Sequence, residues 1–145
     1  MISKTELVDF NKKADVVACY AQFDGKFVML QRQGHKSSPN QWGLPAGKVD
    51  EGETISQAMK REIMEETGIE LAESDLHYFD SLYVRNLGTD IYYHMFSVNL
   101  NALPKVVINS AEHKDFNWFT PEESLKLDLV HDLGDCTKLF YGILK

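Results

Sequence analysis

Apolar residues fall in short blocks along most of this chain, with helical spacing between and after them. Val16–Ala21 is an unbroken apolar run rich in β-formers, which predicts a strand buried on both faces. Asp24-Gly25 follows, a strong hairpin signal, and Phe27–Leu30 is the returning strand. Gln33–Trp42 is a polar loop that ends in Trp42-Gly43-Leu44-Pro45. Pro45 holds Leu44 extended, so no helix begins before it. Leu76–Val84 and Ile91–Leu100 predict two more strands, with Asn86, Gly88 and Asp90 as turn residues between them. Ser97 and Asn99 alternate with Phe96, Val98 and Leu100, which gives the second of these one wet face. Val106–Ile108 and Phe116–Phe119 read as short strands. Met1–Lys13 is polar with scattered apolar residues and fits either a loose lead-in or a pairing strand.

Three helices are predicted. Thr54 with Gln57 three residues on is a capping box, and Gly68 is a natural stop, so a helix spans Ile55–Thr67. Thr120-Pro121-Glu122-Glu123 is a second helix start. Asp135 caps a final helix whose Cys136, Leu139, Phe140, Ile143 and Leu144 form one apolar stripe for packing against the sheet. The order of elements gives an α/β fold, a mixed sheet with helices on both faces.

The totals narrow the function. A chain of 145 residues suits one domain, residues 1–145, and 43% hydrophobic content supports a core without staples. The net charge of −7 gives no general attraction for nucleic acid or anionic membranes. An anionic substrate would therefore need a local reversal of sign, which a bound cation provides. Cys19 and Cys136 have neither metal-site spacing nor the density of a disulfide scaffold, which points to a reducing cytosol. The segment through Lys13 lacks the apolar run expected of a signal peptide, and no stretch reaches membrane-spanning length.

One helix breaks local rules. At about 100° per residue, with Glu62 at the origin, Ile55, Met59 and Ile63 fall near 20°, 60° and 100°. Glu66 falls near 40° and Glu65 near −60°, so Glu62 and Glu66 share the sector that faces the core and Glu65 sits at its edge. Like charges four residues apart repel, burial aggravates the repulsion, and the last helical turn disfavours negative charge. A hard divalent cation relieves all three penalties. The alternative is a solvated acidic patch on a helix rotated outward.

The spacing decides between them. Gly47, Glu53, Arg61, Glu62, Ile63, Glu65, Glu66, Gly68 and Ile69 fill every specified position of a 23-residue pattern and resemble the Nudix box of the Nudix hydrolases. A chance match is on the order of 10⁻⁹ per start position. The resemblance implies the Nudix α/β/α sandwich and Mg²⁺ or Mn²⁺ held by Glu62 and Glu66, with the Ala46 carbonyl nearby. It implies that Glu65 serves a second metal or orients the attacking water. It also implies that Arg61 pairs with Glu53 to hold the loop against the helix. Many relatives carry glycine where this chain has Ala46; because the family uses the backbone carbonyl there as a metal ligand, the change matters little if the backbone angles suit a residue with a β-carbon.

Outside the box, Glu112 in Ala111-Glu112-His113 is a candidate for the metal shell or general base, as related enzymes place a glutamate there; a solvated loop acid is the alternative. His113 itself reads as a surface or packing histidine, with a ligand role as the lesser alternative. Arg32 is a candidate contact for outer phosphates, and a solvated edge arginine is as compatible. Tyr83 and Tyr92, with Tyr93, Phe96 and Trp42, are candidates for stacking on a base, each with core or rim packing as the alternative.

The implied function is hydrolysis of a nucleoside diphosphate linked to another group, foremost a nucleoside triphosphate to monophosphate and pyrophosphate. Dinucleoside polyphosphates, ADP-ribose, nucleotide sugars and capped RNA ends are competing substrates, a long RNA being disfavoured by the acidic balance. A non-catalytic nucleotide sensor is the competing class. The expected partner is a small nucleotide in the cytoplasm, and the final helix or the N-terminal segment suits a homodimer or a monomer alike.

Overall fold

The computed structural model describes residues 1–143. In chain order they form β1 (Ile2–Ser3), β2 (Lys12–Phe23), β3 (Lys26–Arg32), β4 (Trp42–Gly43), β5 (Ala46–Lys48), α1 (Ile55–Thr67), a 3₁₀ turn at Glu73–Asp75, β6 (His77–Asn86), β7 (Thr89–Asn99), β8 (His113–Phe119), α2 (Pro121–Ser124) and α3 (Leu133–Tyr141). The strands make one mixed sheet in the order β1-β6-β7-β2-β3-β4, with β5 added to β2 and β8 to β3. β2 and β7 run parallel from Lys12↔Asp90 to Gln22↔Asn99 and form the sheet's spine.

The apolar run on β2 explains its place at the centre. Val17, Ala18, Cys19, Tyr20 and Ala21 are all fully buried. Successive strand residues point to opposite faces, so Val17, Cys19 and Ala21 meet Ala58, Met59 and Ile63 of α1, while Ala18 and Tyr20 meet Leu133 and Cys136 of α3. Each fully buried aliphatic side chain contributes roughly 1.5–3 kcal/mol over leaving it in water. Tyr20 keeps its hydroxyl satisfied by bonding Thr137 Oγ1 at 3.0 Å, which ties the sheet to α3.

The other edge of β2 is shared. Val16–Ala18 pair with β5, and Gln22–Phe23 pair with β3. β3 then runs with β4 and β8. Asp24 and Gly25 in the β2–β3 turn have φ of 53° and 76°, the two positive values that a tight hairpin turn requires. β5 delivers the glycine-containing loop to the start of α1, whose Thr54–Gln57 capping box and left-handed Gly68 stop are both formed.

Three expectations are corrected. Val106–Ile108 is not a strand: Val107 donates one hydrogen bond to Thr67 O at 2.8 Å and crosses the end of α1 without a ladder. Asn86 and Asp90 are strand residues; the turn between β6 and β7 is Leu87-Gly88, with φ of 52° and 78°. The last helix begins at Leu133 rather than after Asp135, and Gly142 ends it before Ile143; Leu144 lies outside the described residues. Asp135 falls in the first turn, where negative charge suits the helix dipole without capping. The N-terminal segment resolves into both readings: Ile2–Ser3 pairs with β6, and Lys12 begins β2.

Candidate active site

Packing on β2 decides which way α1 faces, and that places its carboxylates. Burying Ala58, Met59 and Ile63 carries Glu62 and Glu66 to the sheet side, where the Glu62 side chain is 12% exposed and Glu66 is 7% exposed. Glu65 is turned outward and 55% exposed. Glu66 Oε1 accepts a hydrogen bond from the Ala46 N–H at 2.9 Å, which joins β5 to the helix. Burial raises the Glu66 carboxyl to about 9, with nearby Glu62 and Glu112 pushing the same way and the Ala46 N–H opposing. Burial also raises Glu62, while Arg61 opposes.

Arg61 is the hub of the site. Its Nε and Nη2 grip both oxygens of Glu53 at 2.7 and 2.9 Å, and Nη2 also donates to Lys48 O at 3.1 Å. Nη1 reaches Glu62 at 2.6 Å and Glu65 at 2.9 Å. Such a fork locks the loop preceding α1 onto the helix. Glu53 Oε1 extends the lock by accepting from the Asp50 N–H at 2.8 Å, and the Arg61 bonds hold the Glu53 carboxyl below its usual value. The expected pairing of Arg61 with Glu53 is present, and the long side chain reaches Glu62 and Glu65 as well.

Gly47 makes room for this arrangement. A Cβ there would collide with the Glu62 carboxylate, so the position needs a residue without one. The donors gathered around α1 and β5 are all hard oxygens, which suits Mg²⁺ or Mn²⁺ rather than a soft metal. The buried, mutually repelling Glu62 and Glu66 fit a cation in the same way. Among the described residues, no three acidic, histidine or cysteine side chains already form a cation cage. Arg61 holds Glu62 and Glu65, and Glu112, half-buried, pairs with Lys36 at 3.8 Å.

A cavity of about 330 Å³ opens beside Glu66 and Ala46. Arg32, Ser37, Ser38 and His113 line one part. Arg32 is held at the wall by Ser37, donating to its carbonyl at 2.6 Å and its hydroxyl at 3.1 Å. Val84, Ile91, Tyr93, Val130, Leu133 and Cys136 supply apolar wall, with Asn86, His131 and Asp132 as polar groups. The volume and the mixture of apolar wall with few polar groups suit a small ligand.

Tyr83 and Tyr92 do not line this cavity. They pair across β6 and β7 on the face opposite Val84, Ile91 and Tyr93, with ring centroids 5.0 Å apart and Phe10 against Tyr83 at 5.1 Å. Trp42 packs edge-to-face on Phe119, and Phe96 is core. Tyr93 alone of the five aromatic candidates lines the cavity. Sequence reasoning gave no role in the site to Asn86, Val130–Leu133 or Cys136, and took His113 foremost for surface or packing. Only the period of two along β6 and β7 could have grouped Val84, Ile91 and Tyr93, and nothing local said which face would be hollow.

Residues 12–140 match the model of the NUDIX domain. The chain belongs to the Nudix hydrolase family. A CTP pyrophosphohydrolase from Escherichia coli K12 is 32% identical over 120 residues, 82% of this chain and 84% of that protein. The nucleoside triphosphatase NudI of Salmonella arizonae is 29% identical over 127 residues, 81% and 89% of the two chains. In structure, the E. coli ORF135 protein superposes with a TM-score of 0.75 at 27% identity, covering 96% of this chain and 95% of that one. As a Nudix hydrolase, the chain has the α/β fold expected from its sequence, and its box occupies the loop and helix beside the cavity. No helix among the described residues is long and apolar enough to cross a membrane.

Proposed function

We propose that this Nudix hydrolase converts a nucleoside triphosphate to the monophosphate and pyrophosphate with Mg²⁺ or Mn²⁺. The observation that carries the reading is the adjacency of the buried Glu66, at the end of the box helix, to a cavity with an arginine on its wall. The names of the two relatives, a CTP pyrophosphohydrolase and a nucleoside triphosphatase, support the substrate class.

Glu62 and Glu66 would hold the metal, with Ala46 contributing its carbonyl and Glu65 and Glu112 reaching in from the rim. When bound, such a metal screens phosphate oxygens and lowers the pKa of water. Arg61 and Glu53 keep the loop and helix in register, so that β5 and the carboxylates keep their spacing. Arg32, fixed by Ser37, faces the cavity as a preset positive group for the outer phosphates. Tyr93 with Val84 and Ile91 offers a flat apolar surface for the base, and Asn86 offers an amide to its edge. Glu112 or Glu65 would take the proton from the attacking water. We further propose that the protein acts in the cytoplasm on small nucleotides.

Product identification tests the reading. Incubation with each nucleoside triphosphate and Mg²⁺ is expected to give monophosphate and pyrophosphate in equal amounts. Release of orthophosphate with a diphosphate would replace the reading by another cleavage.

A further inference from the structure

His113 is the one buried side chain among the described residues with a sealed polar atom lacking any hydrogen-bond partner, its Nδ1. The residue is 6% exposed, starts β8 opposite Arg32 of β3, and lines the cavity with Arg32, Ala46 and Glu66. Its backbone is fixed: the N–H donates to Asn109 O at 2.9 Å. A buried polar group without a partner is costly, and native proteins leave few of them. The other buried histidine shows the contrast. His94 has both ring nitrogens engaged, with Ser81 Oγ at 2.8 Å and Asp15 Oδ1 at 3.1 Å, and it does not line this cavity. That network is closed, whereas His113 Nδ1 has no partner and the residue lines the cavity.

We propose that His113 is a substrate-contacting residue, its cavity-side ring nitrogen donating a hydrogen bond to a phosphate oxygen of the bound nucleotide. The inference rests on the reading of the cavity as a nucleotide site. The position is apt. With Nδ1 sealed and bare, the ring's least costly tautomer carries its proton on Nε2, the nitrogen left for the cavity.

The test is equilibrium binding of a non-hydrolysable α,β-methylene nucleoside triphosphate with Mg²⁺ to wild type, His113→Met and His113→Gln. Methionine and glutamine have similar volume and differ in the amide, which can replace the Nε2 donor. The Met variant is expected to bind about tenfold or more weakly, as loss of a hydrogen bond to a charged group implies. The Gln variant should recover most of that affinity, and the Met variant should melt no lower than wild type, since an unpaired polar group has gone. Equal binding by Met and wild type, equal weakness of Met and Gln, or a fall in melting temperature that tracks the loss of binding overturns the proposal. If wild type itself does not bind the analogue, the nucleotide reading fails rather than the role of His113 alone.

Discussion

Burial drives the Glu66 carboxyl to about 9, and this has a sign that can be measured. In metal-free protein the folded state keeps a proton that the unfolded chain releases above its ordinary value of 4.5. Stability carries no penalty below that value and declines as pH rises through the folded pKa, by up to about 1.4 kcal/mol per pH unit. Melts in chelator from about pH 5 to about pH 9 should show a falling Tm for wild type and a flatter profile for Glu66→Gln. A wild-type profile as flat as the variant's would remove the buried-acid account. Saturating Mg²⁺ should restore wild type at high pH and leave the variant little changed. Arg61→Lys is a second test at this scale. Lysine cannot span both Glu53 oxygens, so turnover should fall by about 10–100-fold, as for lost supporting contacts at metal sites. An unaltered rate would make the fork decorative.

Much of α1 was legible because its signals are local. The capping box, the glycine stop and the angular positions of the glutamates all depend on neighbours within the helix, and the structure keeps each of them. Even the ranking of the acids followed, with Glu62 and Glu66 inward and Glu65 outward. Thr54→Ala should lower stability by about 1 kcal/mol, seen as a lower urea midpoint. Turnover in the native baseline should be unchanged, because the cap lies at the end of α1 away from Glu66. Val106–Ile108 shows the limit of such signals: three apolar residues have strand composition, but a strand needs an edge to join, and this segment meets the end of α1 instead. The start of α3 was missed for a related reason, since Asp132 occupies the N-cap position with φ 66° and makes no side-chain capping bond that a residue pattern could announce.

At the scale of the whole molecule, the sheet sorts side chains by face, and the faces have different tasks. Tyr92 and Tyr93 are adjacent in sequence, yet only Tyr93 lines the cavity. Strand alternation predicts that neighbours diverge, but which of them meets the cavity depends on where α3 and the segment before it close over the sheet, and no local pattern carries that. Tyr93→Leu should raise KM for a nucleoside triphosphate several-fold, while Tyr92→Leu leaves it unchanged; the reverse result would put the base on the other face. His113 was illegible for the same reason, because its burial comes from the meeting of β8 with β3 and the cavity wall. The central claim, a carboxylate-held metal acting on a nucleotide in this cavity, has one direct measurement. Wild type and Glu66→Gln are given CTP and Mg²⁺, and the products are separated and identified. The account predicts CMP and pyrophosphate from wild type and a loss of turnover by about a thousandfold or more in the variant. No turnover by wild type across all nucleoside triphosphates, or a variant that works at the wild-type rate, would contradict it.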